Sequence, residues 1–188
     1  NFLAEGPIRE ASCVIPAWCA SKTIARALNS VLATPGIGEV IVVDDGSTDD
    51  TAVKVEEIAV RSPIPMRLIR QDNAGAAAAR NTGMRAVSLD WITFLDADDE
   101  MLPEAITSKA AHLELCPNPE TVDAVHGSFV RGDTGDVGQF GVTHDRVNPN
   151  GIGRADADQA GFPGGVVSYV FRTNALQATG GFRAELTV

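Results

Sequence analysis

The sequence predicts an α/β fold with a mostly parallel central sheet flanked by helices. Short runs rich in valine and isoleucine alternate with longer stretches of helical periodicity through the first two thirds of the chain, and several runs end in aspartate, glycine or proline. The chain has 188 residues, of which 44% are hydrophobic, so it is large enough to bury a core without disulfides. The crossovers between the strands are expected to be right-handed. Because the strands are expected to be parallel, their carboxyl ends should lie at one edge of the sheet.

The alternation predicts six strands and five helices. The strands are expected in "SCVIPAW", "EVIVVDDGS", "MRLIR", "WITFL", "TVDAVHGSFV" and "VVSYVFR". The helices are expected in "SKTIARALNSVLA", "STDDTAVKVEEIAV", "NAGAAAARNTGMRAV", "LPEAITSKAAHLEL" and "TNALQAT". Residues 131–165 lack periodicity and are predicted to form a long irregular loop.

Local signals predict how three of these helices begin. Ser21 is a plausible N-cap of the first helix, which Pro35-Gly36 would stop. Ser47 and Asp50 have the spacing of a capping box for the second helix. Pro103 lies near the expected first turn of the fourth.

The charge and the cysteines limit where the protein works and what it binds. A formal net charge of −10 disfavours nucleic acid and anionic membranes as partners but does not exclude a small nucleotide. No apolar run approaches the roughly 18 residues needed to cross a bilayer, and no signal peptide is visible. Three cysteines without a CxxC pair, Cys13, Cys19 and Cys116, predict free thiols in a reducing compartment. We therefore expect the protein in the cytoplasm or at the cytoplasmic face of a membrane.

Polar side chains follow each of the first four predicted strands. The strand ends read Pro16-Ala17-Trp18, Asp44-Asp45-Gly46, Gln71-Asp72-Asn73 and Asp96-Ala97-Asp98-Asp99. Ligands of open α/β sheets bind beyond the carboxyl ends of the strands. A divalent cation would offset the repulsion among so many carboxylates, and oxygen ligands in small number suit Mg²⁺ or Mn²⁺.

Each of these signals also has a structural interpretation. The "DAD" segment could be a solvated loop, and "DDGSTDD" could be a turn followed by a helix cap. Gly75 and Arg80 could belong to a phosphate site at a helix N-terminus or to a tightly packed alanine helix. Trp18 could stack on a base or be half-buried packing. No P-loop and no strand–GxGxxG–helix unit occurs, which disfavours those two kinds of nucleotide site.

The order and spacing of the segments are more specific than any one of them. "CVIPAWCASKTIARALNSVLA", "EVIVVDDGSTDDT", "QDNAGAAAARNTGM" and "WITFLDADDEMLP" together resemble family 2 glycosyltransferases of the GT-A fold. The resemblance is strong over residues 12–104 and resumes in "VVSYVFRTNALQATGGF". It implies a single GT-A-type domain over residues 1–188, with a nucleotide-sugar-binding half at 12–104 and part of an acceptor-side half at 121–188.

The resemblance assigns roles to residues that match the family's motifs. Pro16, Ala17 and Trp18 match the first-strand motif that contacts the nucleotide, although the family usually has Tyr-Asn where this chain has Trp18-Cys19. Asp44 and Asp45 match the pair that recognises the base, usually uracil, and Asn73, Gly75 and Arg80 match the segment that contacts the ribose and diphosphate.

Asp96, Ala97 and Asp98 match the DxD motif. The resemblance makes Asp98 the metal ligand and directs Asp96 to the metal or the ribose, with Asp99 assisting.

The resemblance also implies an activity. It implies transfer of a sugar from a nucleotide-diphosphate sugar, usually a UDP-sugar, to a hydroxyl group. The transfer depends on a metal ion and inverts the anomeric configuration. The acceptor is a saccharide, a lipid-linked molecule or another hydroxyl compound, as in the synthesis of cell-envelope polysaccharide. The family's general base usually lies in a Glu-Asp pair shortly after "GGF", and this chain stops at Val188 without one. We therefore expect a C-terminally truncated chain that lacks the base.

Two alternatives differ from this reading in chemistry. A sugar nucleotidyltransferase would carry a glycine-rich basic loop after the first strand, which "PAWCASKTIARA" lacks. A non-catalytic module that binds a nucleotide-sugar or a metal is the other alternative. The intact Asp96 and Asp98 argue against it, and the missing acidic pair argues for it.

Overall fold

The computed structural model describes residues 8–127, 129–130, 137–138 and 168–182. The strands are β1 Ala11–Ala17, β2 Ile37–Asp45, β3 Met66–Gln71, β4 Trp91–Phe94, β5 Ala124–His126, β6 Phe129–Val130, β7 Val137–Gly138 and β8 Tyr169–Arg172. The helices are α1 Ile24–Leu32, α2 Thr51–Ala59, α3 Ala76–Ala86, α4 Thr107–Glu114 and α5 Thr173–Ala178, with a 3₁₀ turn at Pro119–Thr121.

Six strands form one mixed sheet in the order β3-β2-β1-β4-β8-β5. The pairs β1–β2, β1–β4 and β2–β3 are parallel, and β8 is antiparallel to both β4 and β5. The prediction of a mostly parallel sheet is therefore confirmed, with one reversed strand. Consequently, the carboxyl ends of the first four strands lie at the same edge.

Helices cover both faces of this sheet, because alternate strand residues enter two separate cores. Side chains of α1, α2 and α4 pack with Cys13, Ile15 and Val40 of the strands. Side chains of α3 and α5 pack with Val14 and Ile41 on the opposite face. β1 is buried along its whole length, which explains its continuous apolar run.

A glycine lets α3 lie unusually close to β1. A Cβ atom at Gly83 would lie 2.3 Å from Cγ1 of Val14, so no larger residue fits without a shift. This contact explains a glycine inside a helix, where it otherwise costs about 1 kcal/mol relative to alanine. It also sets the short distance between α3 and β1.

Several local predictions were wrong. α1 begins at Ile24 with Thr23 at the N-cap position, and α2 begins at Thr51 without a side-chain cap from Asp50. The expected caps Ser21 and Ser47 instead make contacts with distant loops.

Two other boundaries also differ from expectation. Pro103 lies in the turn before α4, which starts at Thr107, and the fifth predicted strand is divided into β5 and β6. Within 131–165, Val137–Gly138 pairs with β6 and is therefore not irregular, while the rest lies outside the described residues. In the part of the chain that the structure describes, the helices are too short or too polar to span a bilayer.

A buried carboxylate joins three segments at the opposite edge of the sheet. Glu39 on β2 is 5% exposed, and its Oε1 accepts hydrogen bonds from Ser12 Oγ at 2.7 Å and Ser88 N at 2.5 Å. Arg67 lies 3.6 Å from Oε2. Burial by itself would raise the pKa of Glu39, but the hydrogen bonds and Arg67 outweigh it and hold the pKa below its ordinary value.

We predict that Glu39→Gln lowers the free energy of unfolding by about 1–2 kcal/mol at pH 7, because hydrogen bonds to a charged acceptor are stronger than those to an amide. A lowered folded-state pKa stabilises the fold above the ordinary carboxylate pKa of about 4.3, and this stabilisation is lost as pH falls. The difference between wild type and variant in urea denaturation should therefore narrow below about pH 4. Glu57→Gln, at an exposed position on α2, is the control; equal effects of the two variants would contradict the role of Glu39.

Candidate functional site

A cavity of about 470 Å³ opens at the carboxyl edge of the parallel strands. Its lining comes from the end of β1, the end of β2, the β3–α3 loop and the first turns of α3. The lining residues are Pro16, Ala17, Trp18, Asp45, Asn73, Gly75, Ala76 and Ala79. Six of the residues singled out in the sequence thus line one cavity. Trp18 is 62% exposed at this cavity, which excludes the half-buried packing alternative.

Asp45 organises the loop on the far side of the cavity. Its Oδ1 accepts hydrogen bonds from Gln71 Nε2 at 2.7 Å and Ala74 N at 2.9 Å, and its Oδ2 accepts one from Gly75 N at 2.8 Å. A carboxylate has about four acceptor positions, so Oδ2 retains room for one further donor. Asp45 therefore shapes the β3–α3 loop and still presents an acceptor to the cavity.

Asp44 lies below the cavity and is absent from its lining. It is 4% exposed, and its Oδ1 accepts a hydrogen bond from Ser47 N at 3.1 Å. Gly46 between them has φ +75°, and a Cβ there would lie 2.9 Å from Asn73 N. The Asp-Gly pair therefore forms a tight turn against the neighbouring loop, as the structural interpretation of "DDGS" predicts.

Gly75 forms the N-terminus of α3 at the cavity wall. Its φ is +88°, and a Cβ at this position would have open space around it, so the backbone conformation rather than crowding favours glycine. The first free N–H groups of α3 follow directly, in the alanine-rich first turn. Such a helix end favours an anion, and small residues let it approach the backbone.

Arg80 and Asp96 form an ion pair beside the cavity. Arg80 Nη2 lies 2.5 Å from Asp96 Oδ1, and the arginine side chain is only 17% exposed. Arg80 Nε is buried and has no hydrogen-bond partner among the described residues. A buried donor without a partner costs about 1–3 kcal/mol, so this atom is suited to an acceptor from a ligand.

The loop after β4 is held from α1. Arg26 donates from Nη2 to the main-chain oxygen of Asp98 at 2.9 Å and pairs through Nε with Glu100 at 3.0 Å. Ser30 Oγ accepts from Met101 N at 2.9 Å. Ala97 is buried, whereas Asp98 is exposed, so the loop presents the Asp98 carboxylate to solvent.

Asp99 is affected by its acidic neighbours. Partial burial, together with the negative charges of Asp96 and Asp98, raises the pKa of Asp99, and Arg26 opposes this shift. Within the described ranges, no group of three or more histidine, cysteine or acidic side chains is arranged around a common metal position. A site with only two protein carboxylates, completed by ligand phosphates and water, would not form such a group.

The segment "GGF" lies against α3, although the sequence alone did not place it. Asn81 donates from Nδ2 to Phe182 O and accepts from Phe182 N through Oδ1, both at 2.7 Å. The Phe182 ring lies 5.0 Å from that of Phe94, and the Arg80 guanidinium lies 5.9 Å from its centroid. Asn81 and Arg26 had no local sequence signal, because their partners lie 101 and 72 residues away.

The family model for "Glycosyl transferase family 2" matches residues 12–162. The chain belongs to this family. The match includes every strand end that lines the cavity and both acidic segments, so the resemblance noted in the sequence is confirmed. The cysteines are free thiols, with Cys13 and Cys116 buried and Cys19 exposed.

Proteins with assigned functions match parts of the chain. The succinoglycan biosynthesis protein ExoU of Rhizobium meliloti is 44% identical over 91 residues, which are 48% of this chain and 26% of ExoU. This family 2 chain spans less than half the length of the curated relatives it matches.

Solved structures support the GT-A fold. S. aureus TarS in complex with UDP-GlcNAc has a TM-score of 0.65 at 22% identity, covering 92% of this chain and 48% of TarS. The mannosyltransferase PcManGT from Pyrobaculum calidifontis, in complex with GDP-Man and Mn²⁺, has a TM-score of 0.69 at 21% identity, covering 97% of this chain and 49% of that protein.

We predict that Asn81→Ala detaches the segment around Phe182 from α3. The loss of two side-chain-to-backbone hydrogen bonds should lower the free energy of unfolding by about 1–3 kcal/mol. The amide of Phe182 should also exchange faster, as measured by hydrogen–deuterium exchange. Thr82→Ala is the control, since the Thr82 hydroxyl contacts Arg85 of the same helix. Wild-type exchange at Phe182 in the alanine variant would show that Asn81 does not hold the segment.

Proposed function

We propose that this chain is the donor-binding part of a glycosyltransferase that uses a nucleotide-diphosphate sugar, with a UDP-sugar as the first candidate, and a divalent cation, Mn²⁺ or Mg²⁺. The acceptor is a hydroxyl group, and the transfer inverts the anomeric configuration. The observation that carries the proposal is the cavity between Trp18, Asp45 and the N-terminus of α3, with the unpartnered Arg80 Nε beside it.

The cavity suits a base at one end. The exposed indole of Trp18 offers a flat surface for stacking. The free acceptor position on Asp45 suits an N–H donor such as that of uracil. Asn73 and Gly75 also line the cavity and would contact the ribose. Pro16 and Ala17 contribute the floor at the end of β1.

The opposite end suits a diphosphate and a cation. The N–H groups of α3 and Arg80 Nε supply donors for phosphate oxygens. Asp98, whose carboxylate faces solvent, would hold the cation, and Asp96 would orient it or bind the ribose while it pairs with Arg80. When bound, a divalent cation supplies positive charge that offsets the charge on the departing diphosphate. Two hard oxygen donors and a nearby phosphate site fit Mg²⁺ or Mn²⁺.

The residues of this chain then bind and orient the donor. Trp18 and Asp45 would fix the base, while Arg80 and α3 would fix the phosphates, so the sugar would extend toward the solvent side of Asp98. A hydroxyl of the acceptor would attack the anomeric carbon from the face opposite the diphosphate and give its proton to a carboxylate base, as the bond from the sugar to the diphosphate breaks. Attack from the opposite face inverts the configuration. Fixed positive groups at the phosphates stabilise the leaving group without reorganisation.

The acceptor is proposed at the level of chemical class. ExoU is named for succinoglycan biosynthesis, which supports a saccharide or lipid-linked saccharide acceptor and a role in envelope polysaccharide synthesis. Nucleotide sugars are made inside the cell, so such a transferase would work in the cytoplasm or at the cytoplasmic membrane face.

Calorimetric titration with UDP, GDP and TDP, each with and without Mn²⁺, tests the proposal. We predict that UDP binds in a metal-dependent manner and that Asp98→Ala weakens this binding by about tenfold or more, because the variant removes the exposed cation ligand. The panel covers both nucleotide types in the structural neighbours, UDP-GlcNAc for TarS and GDP-Man for PcManGT.

Asp90→Ala is the matched control. It removes one carboxylate from an exposed position at the other end of β4, so the change in net charge is the same. It should bind nucleotide as the wild type does. If the wild type binds none of the three nucleotides in either condition, the proposed donor class is wrong. If both variants weaken UDP binding equally, Asp98 is not a ligand of the cation.

A further inference from the structure

The loop that carries Trp18 is attached to the β2–α2 loop by side chains. Three successive main-chain N–H groups donate to side-chain oxygens: Cys19 N to Ser47 Oγ at 2.9 Å, Ala20 N to Thr51 Oγ1 at 2.8 Å, and Ser21 N to Asp49 Oδ2 at 3.1 Å. We name Ser47, Asp49 and Thr51 the loop clamp. Each clamp residue lies 28 to 31 positions from its partner in the sequence.

Two of the clamp residues, Asp49 and Thr51, are also connected to each other. The Thr51 hydroxyl receives the Ala20 N–H and donates to Asp49 Oδ1 at 2.5 Å, while Asp49 Oδ1 also accepts from Thr51 N at 3.1 Å. Lys54 adds a hydrogen bond from Nζ to Ser21 O at 2.6 Å. Hydrogen bonds in such a chain polarise one another, so Asp49 and Thr51 act together, while Ser47 holds Cys19 separately.

The clamp holds the loop in a backbone conformation that the sequence alone disfavours. Cys19 has φ +47°, and it is the one non-glycine residue with positive φ among the described residues. A left-handed conformation at a residue with a side chain costs about 1–2 kcal/mol. The bonds on either side of Cys19 compensate for this cost. The conformation follows Trp18 directly, so it determines the direction in which the chain leaves the indole.

We propose that Ser47, Asp49 and Thr51 are positioning residues, which fix the Trp18 indole as a stacking surface for the base of a nucleoside diphosphate. The inference rests on the proposed function and extends it to a set of residues outside the cavity. The clamp residues do not line the cavity, so their effect on binding passes through the Trp18 loop. Of the three, only Ser47 was interpreted from the sequence, as part of a helix cap with Asp50.

Two variants test the clamp by different chemistry. Asp49→Ala removes the acceptor for Ser21, and Thr51→Val removes the acceptor for Ala20 at nearly constant volume. Each should weaken UDP binding about threefold to tenfold, which corresponds to the loss of one or two net hydrogen bonds. The amides of Cys19, Ala20 and Ser21 should lose protection in hydrogen exchange by NMR. Thr51→Ser keeps the hydroxyl and should restore both readouts.

Asp50→Ala is the matched control for Asp49→Ala. Both residues are exposed acids before α2, so both variants remove one charge near the helix N-terminus, but Asp50 makes no side-chain cap bond. Binding by Asp50→Ala should equal that of the wild type.

The outcomes separate the two proposals. If the wild type binds UDP and the clamp variants bind it equally well, or if their loop amides keep full protection, the positioning role is wrong while the proposed function stands. Weaker binding in Asp50→Ala to the same extent would attribute the effect to charge and would also overturn it. A wild type that binds none of UDP, GDP and TDP overturns both.

Discussion

Loops at the carboxyl edge of a parallel sheet have main-chain N–H groups that find no acceptor on a neighbouring strand. In this structure, side-chain oxygens accept their hydrogen bonds. Buried or partly buried N–H groups without a partner cost as much as a lost hydrogen bond. Asp45 accepts from two main-chain N–H groups of the β3–α3 loop, and Asp44 accepts from Ser47. Asp49 accepts from Ser21 and Thr51. The acidic residues that cluster at strand ends are therefore, in the first place, acceptors that hold loops.

This constraint divides the carboxylates into two groups. Asp44, Asp45 and Asp49 are held by hydrogen bonds and repel one another less than their proximity in the sequence implies, because each faces donors. The bonds from Thr51 and Ser21 hold the pKa of Asp49 well below its ordinary range, so it stays ionised as an acceptor. Asp98 differs, since its contact with Arg26 uses the main-chain oxygen and the residue is exposed. The loop after β4 is therefore where the proposed function places the cation.

The sequence predicted the elements well and the contacts between them poorly. Hydrophobic periodicity depends on burial, which is why the strands and helices of the first two thirds were located to within a few residues. The cap at Ser47 was wrong because its hydroxyl accepts from the distant Cys19 N–H, while Ser21 lies two residues before the observed N-cap position, Thr23. Six of the eight lining residues were predictable, since the strand ends of a parallel sheet must meet, but the end of β4, expected at the same edge, does not line the cavity. The clamp and the Asn81 contact were not predictable, because their partners lie about 30 to 100 residues away and carry no periodic signal.

Two successive residues of α3 contact the loop after β4 and the "GGF" segment. Arg80 turns toward Asp96, and Asn81 turns toward the backbone of Phe182, as neighbours on a helix point in different directions. Close packing of α3 on β1 at Gly83 leaves little room for the helix to move. The position of Arg80 and that of the segment around Phe182 therefore depend on one rigid element. Because Phe182 contacts both Phe94 on β4 and the Arg80 guanidinium, the "GGF" segment packs next to the ion pair with Asp96. The segment therefore lies beside the residues that we propose for phosphate binding, and α3 holds both in place.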